Sequence, residues 1–135
     1  MVDLNREPMP RQDSKHRRRN FGEVALGYSD KQAFSEAKRC IQCPKRPCVA
    51  GCPVGIDIPG FIDAILKKDM RNSARILKNK NSLPAICGRV CPQESQCEAV
   101  CTLAKKRAPI AIGRLERYVA DWERQNQSSV ASTNP

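Results

Sequence analysis

Apolar residues recur at helical spacing in the middle and near the end of this chain, and lose their period in between. Ile58, Phe61, Ile62, Ile65 and Leu66 fall at i, i+3, i+4, i+7 and i+8, the stripe of an amphipathic helix. Asp57-Ile58-Pro59 opens it, since proline is tolerated in a first helical turn. Asp69 starts another helix, on which Met70, Ala74 and Leu77 share a face. Together they predict an αα-hairpin. Farther on, Ile112, Leu115, Val119 and Trp122 form the buried stripe of a last helix that starts at Pro109 and runs to about Arg124. Glu116 lies about 40° from Ile112 and about 60° from Val119 around that axis, on the flank of the stripe. Upstream, Ser29-Asp30-Lys31-Gln32 reads as a capping box. It predicts a short helix from Asp30 to Arg39 that buries Ala33, Phe34 and Ala37 and delivers Cys40 at its end. The stretch from Cys40 to Ile56 holds three prolines and two glycines, which suits a wrapping loop rather than a long helix or a central strand. A turn or two of helix fits around Gln93 to Val100. No segment reads as a strand, so the fold class is all-α: a small helical domain with loops wrapped around a cofactor.

The ends read differently. Residues 1–20 mix prolines, polar residues and the run Lys15-His16-Arg17-Arg18-Arg19, which suits a solvated basic arm. From Gln125 the chain is polar and without period, a tail or linker over 125–135. The domain proper is then 21–124. At 135 residues one domain is the expectation, and with aromatics at 4% an aromatic core is out of reach. Bound metal would supply the missing cross-links.

Eight cysteines lie between Cys40 and Cys101 in two runs of four. The first is C-x2-C-x4-C-x3-C-P: Cys40, Cys43, Cys48, Cys52 and Pro53. The second is C-x3-C-P-x5-C-x3-C: Cys87, Cys91-Pro92, Cys97 and Cys101. Thiolates are soft ligands, and a cuboidal iron–sulfur cluster takes four of them. Two [4Fe-4S] clusters are the first reading. In the bacterial ferredoxin run three cysteines bind one cluster, and the fourth, before proline, binds the other. By that pattern Cys40, Cys43 and Cys48 hold one cluster and take Cys101 from the second run. Cys52 reaches the other cluster, with Cys87, Cys91 and Cys97.

The formal net charge is +10. It raises a nucleic-acid reading, but no stacking aromatics accompany the basic run. Thiolate-ligated clusters carry negative charge that Lys45, Arg46, Arg89, Lys105, Lys106 and Arg107 could offset, so no nucleic acid is expected. His16 is the only histidine. The N-terminus is too polar for a signal peptide and no apolar run reaches membrane-spanning length, which points to a reducing, cytoplasmic setting. There the rival readings are a structural zinc module, for which only Cys40/Cys43 has the usual C-x2-C spacing, and a disulfide-stapled domain, which lacks its signal peptide.

Several motifs carry a family resemblance: Cys40-Ile-Gln-Cys43, Cys48-Val-Ala-Gly-Cys52-Pro-Val, Ile58-Pro59-Gly60-Phe61-Ile62, Leu83-Pro-Ala-Ile-Cys87-Gly-Arg-Val-Cys91-Pro-Gln-Glu and Ile112-Gly-Arg-Leu-Glu116-Arg-Tyr-Val-Ala-Asp-Trp122. Over roughly residues 20 to 124 the chain resembles the N-terminal iron–sulfur domain shared by the small chain of NADPH-dependent glutamate synthase, the flavoprotein subunit of NADH-dependent ferredoxin:NADP oxidoreductase, and dihydropyrimidine dehydrogenase. The resemblance implies a helical domain with two [4Fe-4S] clusters that passes electrons to or from a flavin. It also implies a carboxylate or amide ligand on the last helix, at the position of Glu116, and no ligand at that of Cys87. The ligand sets become Cys40, Cys43, Cys48 and Cys101 for one cluster, and Cys52, Cys91, Cys97 and Glu116 for the other, with Cys87 the rival of Glu116. Flavin and nicotinamide domains follow this one in the family. Here no G-x-G-x-x-G occurs, so the chain itself is not expected to bind flavin or nicotinamide. It is expected to be an excised domain or a free-standing subunit. Its partner would be an FAD/NADPH domain or subunit, a glutamate synthase large subunit, or a ferredoxin-type protein.

Overall fold

The computed structural model describes residues 5–127. Among them are seven α-helices and no strand: α1 (Ser14–Arg17), α2 (Asp30–Lys38), α3 (Pro47–Gly51), α4 (Ile58–Leu66), α5 (Met70–Lys78), α6 (Pro84–Val90) and α7 (Ile112–Gln127). An isolated antiparallel bridge joins Arg11 to Ala25.

Three helices of the core, α2, α4 and α5, start where a side chain satisfies a free N–H group. At α2 the full capping box forms, with Ser29 and Gln32 bonding reciprocally. Asp57 caps α4 through Gly60 N, and Asp69 caps α5 through Asn72 N. The α4–α5 pair is the hairpin expected, closed from inside by the Ser73 hydroxyl, which donates to Phe61 O at 2.9 Å. α7 packs against α2, α5 and, most extensively, α6. Phe61, Ile62, Leu77, Leu115 and Val119 are fully buried where these helices meet.

Four local expectations are corrected. Phe34 is only half-buried, with the Lys38 ammonium 4.6 Å from its ring centroid. Trp122 is half-buried too, on the wall of an open cavity that it shares with Phe34, Ile65 and Met70. The helix of the second cysteine run lies at Pro84–Val90, ahead of the position expected, and 93–100 contains one 3-10 turn (Gln93–Ser95). Proline at the start of α6 suits a first turn, whereas Cys91-Pro92 stops the helix. The last helix begins at Ile112 rather than Pro109 and continues to Gln127; the tail residues 128–135 and the arm residues 1–4 lie outside the described residues.

The basic arm is exposed over 13–20, where α1 carries part of the cationic run. Residues 6–12 are held to the body instead. Gln12 N donates to Val24 O, Leu26 N to Pro10 O, and Arg6 pairs with Glu98 at 2.8 Å. The deepest tie is Glu36, 0% exposed on α2. Its Oε1 accepts from Arg39 Nη1 at 2.6 Å and Ala111 N at 2.8 Å; its Oε2 accepts from Glu7 N at 2.8 Å. Arg39 also donates to Ala108 O and Pro109 O. One buried ion pair thus joins the arm, α2 and the entry to α7. These bonds offset most of the cost of burying the pair, although Arg39 Nε is buried without a hydrogen-bond partner.

Candidate functional site

The thiols are brought together by tight local turns. Cys40 follows the C-cap of α2, and its N–H closes the last turn on Ala37 O. Gln42 and Arg46 then take left-handed backbone conformations, φ 49° and 43°, which cost about 1 kcal/mol or more each for a residue with a Cβ. Both are tied to the start of α4: Gln42 Nε2 donates to Pro59 O and Arg46 Nη1 to Asp57 Oδ1, each at 3.1 Å. α3 carries Cys48 and ends on Cys52. Gly51, at its last position, lets the two cysteine runs touch. A Cβ there would stand 3.0 Å from Gln96 O and 3.2 Å from the Cα of Cys97. In the second run, α6 carries Cys87 and ends on Cys91, and Cys97 is buried.

All eight cysteines are free thiols, and they divide between two cavities. Cys40, Cys43, Cys48 and Cys101 line the first, with Ile58, Ile62, Ile110 and Ile112 among its apolar walls. Cys52, Cys87, Cys91 and Cys97 line the second, together with Glu116, Asn81 and Gln93. Each cavity draws on both runs, and Ile58 and Ile112 line both. The structure thus brings Cys101 to the first three cysteines of the first run and Cys52 to the second run. It brings both rivals, Glu116 and Cys87, to the second cavity. Among the described residues no three such side chains are placed to hold a single metal ion. A four-iron cube stands between its ligands and spaces them more widely than one ion does.

Burial dominates the electrostatics. It raises the Cys40 thiol above its ordinary value and pushes Cys48 and Cys91 up to about 11 and Cys97 to about 12. Neighbouring thiols push the same way. Backbone hydrogen bonds at Gln42, Val49 and Glu98 oppose it at Cys40, Cys48 and Cys97. Such thiols stay protonated until a metal's charge inverts the balance and takes the proton's place. Glu116 is 6% exposed, and burial raises its carboxyl to about 7 against the pull of Asn81. Thr102 Oγ1 lies 3.2 Å from Cys43 Sγ.

The charges expected near the thiols are placed unevenly. Arg46 lines the first cavity, whereas Arg89 turns away to Glu23 and Asp121 at 2.7 and 2.8 Å. Asn81 and Gln93 were not legible as site residues. Gln93 donates to Cys87 O, and Asn81 reaches both Glu116 and Cys87. Nothing in an isolated Asn between two helices signals such a contact. No helix among the described residues is long and apolar enough to cross a membrane.

Comparison with known proteins agrees with this donor chemistry. The family model for domain II of dihydropyrimidine dehydrogenase, a 4Fe-4S cluster domain, matches residues 17–128. The chain is 40% identical over 103 residues to the NAD-dependent dihydropyrimidine dehydrogenase subunit PreT of Escherichia coli K12, covering 76% of this chain and 25% of that protein. It is 36% identical over 120 residues to the small chain of NADPH glutamate synthase of the same organism, covering 89% and 25%. The Halomonas elongata small chain is 32% identical over the same length, with the same coverage. The chain spans about a quarter of the length of these curated relatives. With the cysteine-lined cavities and the match over most of its residues, the chain belongs to the family of dihydropyrimidine dehydrogenase domain II, the 4Fe-4S domain also found in glutamate synthase small chains.

Proposed function

We propose that the chain is an electron-transfer module with two [4Fe-4S] clusters, relaying electrons to or from a flavin in an NAD(P)H-dependent oxidoreductase of the glutamate synthase small-chain type. Cys40, Cys43, Cys48 and Cys101 would hold one cluster. Cys52, Cys91, Cys97 and Glu116 would hold the other. The observation that carries the reading is the division of eight free thiols between two cavities that share the walls Ile58 and Ile112. Bound there, the clusters would supply one-electron chemistry. The residues of the chain do the rest. Backbone groups at Gln42, Val49 and Glu98 face sulfur and favour its anionic form. The isoleucines exclude water from between the two sets of donors. In this proposal the flavin would lie in a following domain or a separate subunit; the matched stretch is 25% of each glutamate synthase small chain.

Anaerobic purification with iron and sulfide analysis tests this reading. The expected result is a brown protein with about eight irons per chain and two interacting EPR signals on reduction. A colourless protein with stoichiometric zinc, or about four irons at saturation, would overturn it.

A further inference from the structure

Asn81 stands between α5 and α6 on the wall of the second cavity, 8% exposed. Its Nδ2 donates to Glu116 Oε1 at 2.7 Å. Its Oδ1 accepts from Leu83 N at 2.9 Å and from Cys87 Sγ at 3.6 Å. The orientation of the amide is fixed, because a flip would set its NH2 group against the Leu83 N–H, donor to donor. Asn81 therefore turns a donor toward the carboxylate and an acceptor toward the thiol.

We propose that Asn81 is the positioning residue that gives the last coordination place of the second cavity to Glu116 and withholds it from Cys87; this rests on the two-cluster reading above. A carboxylate gripped at Oε1 keeps Oε2 free and loses little further freedom on meeting iron. Cys87 spends its single hydrogen on Oδ1. A sulfur bound to iron has no hydrogen to give, so ligation by Cys87 would break that bond and set sulfur lone pairs against those of the amide oxygen. The helices cannot make the choice by sliding. Gly88 of α6 lies so close to α7 that a Cβ would sit 2.6 Å from Arg117 N, so the two backbones are in register contact beside the site. The choice is left to side chains, and Asn81 is the group that touches both.

The test uses the holo-protein, purified without oxygen, with iron content, the EPR spectrum and the reduction potentials of both clusters as readouts. Asn81→Leu keeps roughly the size but removes both the donor to Glu116 and the acceptor that faces Cys87. Asn81→Ser keeps an acceptor near Leu83 N–H, adds no charge and falls short of Glu116. Both are expected to shift the EPR signal and potential of one cluster only, as Cys87 replaces Glu116. Adding Cys87→Ala to either variant should then lower iron from about eight per chain to about four. Cys87→Ala alone should leave iron and spectrum unchanged. Unaltered signals in both Asn81 variants, or iron loss that Cys87→Ala does not deepen, would overturn the role given to Asn81. A changed spectrum in Cys87→Ala alone would instead place the failure in the ligand reading itself.

Discussion

Gly88→Ala separates packing from helix propensity by sign. In a helix interior, alanine is favoured over glycine by about 1 kcal/mol, so propensity alone predicts a stabilised α6. The structure predicts the reverse. A Cβ at position 88 would stand 2.6 Å from Arg117 N and 2.9 Å from its Cα, roughly 1 Å short of ordinary contact. The obstacle is backbone of α7, which no rotamer change relieves, so α6 and α7 must part. Overpacking of this kind costs about 1–3 kcal/mol, and a backbone obstacle puts this site at the upper end. Net of propensity, about 2 kcal/mol of destabilisation is expected, a fall of roughly 6–10 °C in the thermal midpoint for a domain of this size. Because α6 carries Cys87 and ends on Cys91, the second cavity should lose iron before the first during slow chelation. The assay is thermal melting of the holo-protein at one heating rate, with iron release followed alongside. A midpoint equal to or above that of the unsubstituted protein would refute the close helix contact.

Glu36→Ala should cost about 3–5 kcal/mol in denaturant unfolding, since it leaves the Arg39 guanidinium buried and unpaired and strips the N–H groups of Glu7 and Ala111 of their acceptor; a loss under 1 kcal/mol would discount that cluster. Cys101→Ala should remove more than one cluster's share of iron, because Cys101 lies in the cavity of the first run; retention of a full second cluster would refute crossed ligation. Oxidative removal of iron should abolish cooperative unfolding, since metal ligation supplies folding free energy in so small a core, and a cooperative apo melt would contradict it. Burial raises the Tyr28 hydroxyl above 10.0, with Glu36 pushing the same way and Arg114 and Arg6 against. A raised folded-state value means that its contribution is complete below the ordinary tyrosine value of about 10 and is lost as pH rises through the folded value, so above that pH the midpoint should fall less steeply in Tyr28→Phe than in the unsubstituted protein; parallel slopes would show that Tyr28 does not ionise late.

The helices of the hairpin and the capping box at Ser29 could be read from the chain because both are local: a stripe of five apolar residues and a hydroxyl three residues from its amide partner are set by spacing alone. The cysteine runs were legible as donors for the same reason, and ligand type follows from the softness of sulfur. Which thiol stands in which cavity is a different matter. Cys52 joins the second run and Cys101 the first because Gly51 lets the two loops touch and α6 lies flat on α7, contacts between residues far apart in sequence. Glu36 shows the same limit. Its place in a helical pattern marks an ordinary charged residue, and only the arrival of Glu7, Arg39 and Ala111 around it makes burial tolerable. Asn81 lies in no motif at all. Its role is created by three groups from two helices converging on one amide, and periodicity cannot report that convergence because it describes one element at a time.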